Sequence, residues 1–283
     1  MTTLETERYQ SAVGRVATQD NIVTAAQANA LAATLDRDER FKDGDALPPG
    51  WHWSFFPEAV NLADTGPDGH ARPGTFFPEL PLKRRMWAAN KMRFHAPIRI
   101  SERATRTMRI ASVTPKDGGT GPLIFVVMQV EVSGRAGVCT EEEMTYVFRG
   151  PPAPNEAPPR KVEPPAGAQW TRTIDPTPVL LFRVSARTMN SHRIHYDLPY
   201  VTQEEGYPGL LVHGPLIHTL LVDGLRRARP EAKIGAVSVR AASPLYAGTK
   251  FTVSGAVDGN SAKLWAVTPA GGVAMSGEAT LLL

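Results

Sequence analysis

Apolar and polar residues alternate in two separate stretches of the chain, and glycine-rich turns divide both stretches. The first covers residues 99–149, where a turn at Asp117-Gly118-Gly119 separates long alternating segments. The second covers residues 234–283, which are divided by turns at Asp258-Gly259-Asn260 and Ala270-Gly271-Gly272. Alternation bounded by such turns predicts antiparallel strands that are joined in hairpins.

Apolar residues with helical spacing precede the strands in each half. In the second half we predict a helix that begins at Pro215, because the following apolar residues fall on one face: Leu216, Ile217, Leu220, Leu221, Val222 and Leu225. In the first half we predict a helix over residues 22–35 and a short one over residues 51–60. A helix followed by long antiparallel strands is typical of an α+β unit.

A proline-rich stretch separates the two halves. Seven of the fifteen residues from Pro151 to Pro165 are proline, a composition that favours an extended linker over a helix or a strand. We therefore predict an N-terminal domain over residues 1–150, a linker over 151–167 and a C-terminal domain over 168–283. The similar layout of the two halves predicts a duplicated fold, although no residue-level repeat is visible.

Composition and charge exclude several classes of protein. A content of 42% hydrophobic and 21% charged residues is ordinary for a globular protein. Apolar runs are much shorter than the ~18–20 residues of a membrane span, and MTTLETERYQ does not resemble a secretory signal, so we expect a cytoplasmic protein with no membrane partner. A net charge of +3 is small for a nucleic-acid-binding surface. Cys139, the single cysteine, excludes an internal disulfide and fits a core position in a strand.

Candidate chemistry concentrates between Phe182 and Leu221, which we predict to run from a strand through a loop into the second-half helix. This segment holds four of the seven histidines: His192, His195, His213 and His218. Polar, titratable residues between a strand end and a helix start are typical of a functional site. Gly214 lies at the start of the helix, where a backbone N–H can stabilise an oxyanion.

Other interpretations of these histidines have to be weighed. His192 and His195 are three residues apart, but no H-E-x-x-H pattern or paired carboxylates accompany them, so we expect no metal. A purely structural role for the histidines stays open. Patterns for a serine nucleophile elbow, a dinucleotide-binding loop or a P-loop do not occur in the sequence.

Two segments resemble motifs of a known superfamily. SARTMNSHRIHYD at residues 185–197 and VHGP at residues 212–215 are similar to S-x-x-x-G-D-x-N-P-I-H-x-D and V-H-G-M/P of the MaoC-like, or (R)-specific enoyl-CoA hydratase, superfamily. LPLKRRMWAAN at residues 80–90 and FHAPI at 94–98 resemble P-x-P-x-R-R-M-W-A-G-G and F-H-x-P-L. That second pattern belongs to the branch of mesaconyl-C4-CoA and itaconyl-CoA hydratases and mitochondrial 3-hydroxyacyl-thioester dehydratases.

The resemblance implies an α+β double hot-dog fold, with two helix-plus-curved-antiparallel-sheet units joined by the linker and a CoA thioester bound between them. His195 matches the catalytic histidine, and Gly214 matches the glycine whose amide polarises the thioester carbonyl. Asn190 stands where the superfamily has a catalytic aspartate; it cannot accept a proton but can hold a water. His192 and Arg193 replace the Asn and Pro of the motif. Asp197 is more simply interpreted as a helix N-cap.

The resemblance also implies the substrate class. We expect a hydro-lyase acting on a short branched enoyl-CoA, such as a C5 dicarboxylic one, with no cofactor beyond the coenzyme A of the substrate; a homodimer is compatible with the family. The residues expected to contact substrate are His192, Arg193, His213, Arg84, Arg85 and Trp87. Among these, the arginines can pair with a second carboxylate.

Several alternatives remain at this point. They are a dehydratase of fatty-acid synthesis acting on longer 3-hydroxyacyl thioesters, a thioesterase of the same fold, and a non-catalytic acyl-thioester binder. His192 is an alternative to His195 as the base. With an unperturbed histidine as base, activity would fall at acid pH near ~6.5.

Overall fold

The computed structural model describes residues 9–74, 76–119, 121–151 and 161–282. The β-strands in these residues are β1 Val16–Ile22, β2 Arg84–Phe94, β3 Arg103–Gly118, β4 Gly121–Gly134, β5 Gly137–Arg149, β6 Trp170–Ile174, β7 Lys233–Ala241, β8 Phe251–Asp258, β9 Ser261–Val267 and β10 Val273–Leu282. The α-helices that lie wholly within them are α1 Ala25–Thr34, α2 Pro178–Thr188, α3 Leu198–Gln203 and α4 Gly214–Ala228. Short 3-10 helices occupy His52–Phe55, Leu62–Asp64 and Arg193–His195.

These strands form one antiparallel sheet in which each half of the chain keeps to its own side. The strand order is β1-β3-β4-β5-β2-β7-β10-β9-β8-β6. Read outward from the centre, β2-β5-β4-β3-β1 and β7-β10-β9-β8-β6 follow the same topology. The predicted duplication is therefore visible in the strand order, and the predicted α+β class is confirmed.

The two halves meet at the pairing of β2 with β7. Ala89 lies opposite Arg240 and Arg93 opposite Ala236, which gives five antiparallel residue pairs across the centre of the sheet. On its other side β2 pairs with β5 along most of its length. Strand β2 was not predicted from the alternation pattern, yet it connects the halves and carries residues of the candidate site.

Helix α4 is the central helix of the second half. It begins at Gly214, one residue before the predicted start, and every residue from Leu216 to Leu225 is buried. The sequence predicted one buried apolar face, but the whole circumference of this part of the helix is buried. The reason is that α4 packs against β8, β9, β6 and β2. Buried side chains of α1 and α4 belong to one continuous core that extends across both halves.

A buried ionic cluster also connects the halves. Asp223 on α4 accepts hydrogen bonds from Arg37 of the first half at 2.7 Å, from Arg172 on β6 at 3.1 Å and from Arg227 at 2.7 Å. The carboxylate is fully buried. Hydrogen bonds from three guanidinium groups offset the cost of burying its charge.

One predicted element has the wrong type. The segment around Phe182, expected to be a strand, belongs to helix α2, which Thr177 caps by accepting a hydrogen bond from the Leu180 N–H. Its buried residues, Leu181, Val184 and Ser185, follow the three- and four-residue spacing of a helix. This period was obscured in the sequence because Phe182 and Val179 are exposed apolar residues on the outer face.

The remaining predictions of local structure concern helix α1, the short helix after it and Cys139. Helix α1 lies within the predicted 22–35 range and starts after Thr24, which forms a capping box with Gln27. The short helix expected over residues 51–60 is one 3-10 turn. Cys139 is buried in β5, as expected.

The domain boundaries themselves stay a prediction. Residues 152–160 of the expected linker lie outside the described residues, whereas Pro151 and residues 161–169 have no helix or strand. Among the described residues, no helix has the length and apolar character needed to cross a membrane.

Candidate active site

The candidate site residues lie where the loop of residues 189–197, the motif loop, and the start of α4 face strand β2. A cavity of about 1410 Å³ lies between these elements. Residues from both halves line it, including His70, Arg85, Trp87, His192, His195 and Gly214. The structure thus brings His70 and Gly214 into one cavity although they are 144 positions apart in the sequence.

His195 is held in one orientation by a backbone carbonyl. Its Nδ1 lies 2.8 Å from the carbonyl oxygen of Leu211. Because a carbonyl oxygen only accepts, Nδ1 carries the hydrogen and Nε2 keeps a lone pair. Burial lowers the pKa of His195 to about 4, since the charged imidazolium is poorly solvated. His195 is therefore neutral at pH 7, and for a reaction that uses it as the base the expected acid limb moves from ~6.5 to about pH 4.

Two further imidazoles pack against His195. The ring of His213 stacks on it at 3.6 Å between centroids, and the ring of His192 meets it edge-on at 5.6 Å. His213 Nε2 lies 2.9 Å from the Ser185 hydroxyl on α2. Burial lowers the pKa values of His192 and His213 far below the ordinary histidine value, and the neighbouring histidines lower them further. The cluster is uncharged at neutral pH.

Gly214 presents its backbone at the floor of the cavity. It is the first residue of α4, and N–H groups of a first helical turn have no acceptor within the helix. His213, at the N-cap, makes no side-chain cap hydrogen bond. A Cβ at position 214 would lie 2.8 Å from Cε3 of Trp87, so only glycine fits against that ring. The Gly214 N–H and the helix dipole can stabilise a developing oxyanion here.

Asn190 lies half-buried between two cavities. Its side-chain oxygen accepts a hydrogen bond from the backbone N–H of His192 at 3.1 Å, so its NH₂ group is the part that can donate to a ligand. It lines both the large cavity and a smaller one of about 460 Å³ beside α2. Met189, at the glycine position of the motif, has a left-handed backbone with φ 51°.

The three candidate arginines have different surroundings. Arg84 Nε bonds Glu205 at 2.9 Å, and Arg193 pairs with Asp197 at 2.9 Å. Asp197 also caps α3 by accepting from the Tyr200 N–H, as predicted. In the portion of the chain that the structure covers, Arg85 makes no ion pair with a carboxylate; its guanidinium packs over the rings of Phe77 and Tyr146, at 5.1 and 5.3 Å.

A segment of the first half, residues 57–74, covers the motif loop. Arg193 donates from its backbone N–H to the Asp68 carbonyl and from its guanidinium to the Pro67 carbonyl, both at 2.9 Å. The Ser191 hydroxyl donates to the Gly69 carbonyl. Sequence reasoning missed this segment, although Asp68-Gly69-His70 combines a turn signal with two titratable side chains.

Comparison with known proteins identifies the family. The sequence pattern of the hydroxyacyl-thioester dehydratase type 2 family matches residues 50–247. The chain is 41% identical over 270 residues to mesaconyl-C(4)-CoA hydratase of Chloroflexus aurantiacus, covering 95% of this chain and 96% of that relative. This chain belongs to the hydroxyacyl-thioester dehydratase type 2 family. It is an enzyme of the hydratase and dehydratase class, as the motif resemblance implied.

Solved structures agree on the fold of this family member. A MaoC-like dehydratase of Phytophthora capsici superposes with a TM-score of 0.71 at 14% identity, covering 98% of both chains. A Mycobacterium tuberculosis protein described as a double hotdog fold superposes with a TM-score of 0.58 at 11% identity, covering 95% of this chain and 96% of that one. The enzyme therefore has the MaoC-like double hot-dog fold that the sequence predicts.

One group of side chains in the dehydratase meets the distance requirement of a metal site. Ligand atoms of Asp68, His70 and His192 lie within 4.8 Å of one another. However, His70 Nδ1 is already hydrogen-bonded to Asp68 at 2.9 Å, and the positive charge of Arg85 acts on all three groups. A divalent cation beside that guanidinium would be repelled. We therefore interpret the group as a hydrogen-bonded Asp68–His70 pair whose imidazole stacks on the ring of His192.

A second buried polar network lies behind Trp87 and was also missed. Glu142 on β5 is fully buried; it accepts from the Asn90 side chain on β2 and lies 3.2 Å from His52 Nε2. Burial alone would raise the pKa of Glu142, but the hydrogen bonds with His52 and Asn90, together with the charges of His52 and His218, lower it overall. His218 on α4 stacks on Trp87, and burial lowers its pKa to about 4. The network fixes β2, and with it Trp87, against α4.

Proposed function

We propose that this enzyme reversibly hydrates a short branched enoyl-CoA that carries a second carboxylate, a C5 dicarboxylic thioester such as mesaconyl-C4-CoA or itaconyl-CoA giving citramalyl-CoA. The observation that carries the proposal is Arg85, which lacks a carboxylate partner among the described residues and lies in the same cavity as His195 and Gly214. The named activity of the Chloroflexus relative supports the same substrate class.

The arrangement of donors and acceptors suits the addition of water. His195 Nε2 removes a proton from water, and the water oxygen bonds to the β-carbon of the enoyl group. In mesaconyl-C4-CoA, whose double bond is conjugated with the thioester, the electron pair of the double bond moves toward the thioester carbonyl, and its growing negative charge accepts a hydrogen bond from the Gly214 N–H. Protonation of the α-carbon completes the product. Asn190 holds the water through its NH₂ group, and the reverse sequence is dehydration.

Arg85 supplies the proposed selectivity for a carboxylate. A guanidinium forms two parallel hydrogen bonds with a carboxylate, and the surrounding aromatic rings reduce the competition from water. A methyl group at the same place would leave the Arg85 charge partly desolvated and unpaired. A dicarboxylic substrate is therefore favoured over its monocarboxylic analogue.

A second candidate function is dehydration of longer 3-hydroxyacyl thioesters. The cavity beside α2 favours it, because exposed apolar side chains of Leu62, Phe182 and Met189 line this cavity and Asn190 connects it to the larger one. Such a surface can take up an aliphatic chain, which a C5 dicarboxylic substrate does not have.

The test compares substrates and an arginine variant. We expect kcat/KM for mesaconyl-C4-CoA or itaconyl-CoA to exceed that for crotonyl-CoA by at least ~10-fold, about 1.4 kcal/mol of transition-state discrimination. Arg85→Gln should remove this preference while crotonyl-CoA turnover stays similar. The assay follows loss of enoyl-thioester absorbance, with a free-thiol readout to detect hydrolysis.

Arg99→Gln is the control for that variant, because Arg99 is an exposed arginine bonded to the Gly44 carbonyl. It should leave the preference unchanged. Equal or better turnover of long-chain substrates by the unaltered enzyme would favour the second candidate function, and thiol release without hydration would indicate a thioesterase.

A further inference from the structure

Hydration needs two proton transfers, and the motif provides one titratable group for them. His195 can take the proton of water, but Asn190 occupies the position at which the superfamily has a carboxylate, and an amide neither gives nor takes a proton at neutral pH. The covering segment of the first half brings the imidazole of His70 into the same cavity, and the Asp68 carboxylate is hydrogen-bonded to that imidazole.

We propose that His70, oriented by Asp68, is the second acid–base group of this site and donates the proton to the α-carbon of the substrate. The inference rests on the proposed hydratase function, which it makes more specific. The catalytic apparatus is then divided between the halves, with the base on the motif loop and the acid on the segment that covers it.

Asp68 holds His70 in place from two sides. One carboxylate oxygen lies 2.9 Å from His70 Nδ1, and the other accepts the backbone N–H of His70 at 3.1 Å. The backbone carbonyl of Asp68 in turn accepts the N–H of Arg193 in the motif loop. With Nδ1 engaged by the carboxylate, Nε2 is the nitrogen through which His70 exchanges protons with a ligand.

His192 connects the two imidazoles in space. Its ring stacks on His70 at 3.9 Å between centroids and meets the ring of His195 edge-on at 5.6 Å. His70 and His195 thus contact the same ring, and both line the large cavity. A substrate beside His192 can be reached by both groups.

The partners of the two imidazoles differ in charge, which assigns their roles. The Leu211 carbonyl that orients His195 is neutral, so it stabilises the imidazolium form weakly. Burial is the largest influence on His70 and lowers its pKa below the ordinary histidine value, and the charge of Arg85 lowers it further; the Asp68 carboxylate and Glu58 favour the imidazolium form. Among the residues that the structure describes, His195 has no carboxylate partner. Because only His70 of the two is paired with a carboxylate there, we assign the acid to His70 and the base to His195.

The step balances in protons and electrons. His195 Nε2 takes one proton from water as the C–O bond forms, and the electron pair of the C=C bond moves to the α-carbon and the thioester carbonyl. The imidazolium of His70 gives its Nε2 proton to the α-carbon, which forms the C–H bond. Afterwards His195 releases its proton to solvent and His70 takes one up, so that the site is restored.

The first experiment measures kcat and KM of variants. We expect His70→Ala and His70→Gln to lower kcat by ~10²–10⁴-fold with KM changed much less. Asp68→Asn should lower kcat by a smaller factor, because the amide keeps the orientation but loses the charge. Added imidazole should restore part of the activity of His70→Ala, which a merely structural role would not allow.

His95→Ala is the matched control. His95 Nε2 also lies 2.9 Å from a carboxylate, that of Glu141, but both side chains are about half exposed and neither lines the cavity. This variant should keep full activity. If His70→Ala hydrates the substrate with the kcat of the unaltered enzyme, the inference is overturned.

The second experiment separates the two proton transfers. A saturated acyl-CoA, which lacks a double bond and a hydroxyl group, is incubated in D₂O, and deuterium at its α-carbon is measured by mass spectrometry. We expect His195→Ala to keep this exchange and His70→Ala or His70→Gln to lose it, with unchanged circular dichroism. Exchange that depends on His195 instead, or no exchange by the unaltered enzyme, contradicts the role of His70.

The outcomes also distinguish the two proposals. If the unaltered enzyme hydrates no short enoyl-CoA, the proposed function fails, whatever the exchange experiment gives. If it hydrates one and His70→Ala is fully active, the proposed function stands and the role of His70 fails.

Discussion

A single hydrogen bond and complete burial decide what His195 can do. The Leu211 carbonyl fixes the tautomer, and the pKa of about 4 keeps the ring neutral over the whole physiological range. A neutral imidazole with a free Nε2 accepts a proton without first having to lose one. The stacked His213 ring limits the movement of His195 further.

At the residue scale, we expect His195→Ala to lower kcat by ~10²–10⁴-fold, as for the loss of a general base. Asn190→Ala should cost less, about 10–100-fold, because it removes a group that orients the water but does not take its proton. Steady-state kinetics of both variants, with circular dichroism as the folding control, check this order. Near wild-type activity of His195→Ala would assign the base to His192.

The pH dependence tests the same residue independently. Because protonated His195 cannot act as a base, the acid limb of kcat/KM should lie around pH 4. A decrease centred near ~6.5 would mean that His195 is better solvated than its burial indicates. The measurement needs a control for unfolding at each pH.

At the scale of elements, the covering segment 57–74 depends on one glycine. Gly69 has φ +90°, and a Cβ there would lie 1.8 Å from the backbone oxygen of Ser191. The clash is with backbone, so the covering segment and the motif loop would have to separate. Since this contact also places Asp68 and His70, the separation would reach the cavity.

We therefore expect Gly69→Ala to lower kcat by at least ~10-fold, the cost expected of a displacement of about 1 Å near the chemistry. Gly74→Ala is the matched control: Gly74 has φ +109°, but nothing lies within 4 Å of its Cβ position. Both variants carry backbone strain of ~1–3 kcal/mol, which thermal unfolding measures, and only Gly69→Ala carries the clash. Equal activity of the two variants would contradict a role for this contact.

What the sequence predicted about elements depended on periodicity. The long strands and α4 have strong patterns and were predicted with nearly correct bounds. Strand β2 was missed because its first six residues are all half-buried, so its sequence shows no regular alternation over that stretch. Segment 57–74 has no periodicity, and its contact with the motif loop joins residues about 120 positions apart. His195 and Gly214 were identified by motif, whereas Asp68 and His70 required the fold.

At the scale of the whole molecule, buried neutral histidines couple stability to pH. Burial lowers the pKa values of His195 and His218 to about 4, whereas unfolded histidines titrate near ~6.5. Between these values the unfolded chain binds more protons than the folded one, so stability falls as pH falls. At pH values above the pKa of the unfolded histidines, the neutral buried histidines make their full contribution to stability.

We expect the free energy of unfolding to be level above pH 7 and to decrease below ~6.5, by about 1.4 kcal/mol for each such histidine and each pH unit. Denaturant unfolding at pH 7.5, 6.0 and 5.0 measures the slope. His195→Gln, which cannot titrate, should reduce the slope by the contribution of one group. A stability that does not change between pH 7 and 5 would show that these rings are not held neutral.

The matching topology on either side of the β2–β7 pairing gives the molecule two equivalent positions for a site, of which one carries the motif. In a chain made of two copies of one fold, the copies can take different functions. The second copy carries the motif residues His195 and Gly214, and the first copy contributes residues between 57 and 87 that line the same cavity. Substitutions among these first-half residues can therefore change the shape of the cavity without altering the motif itself.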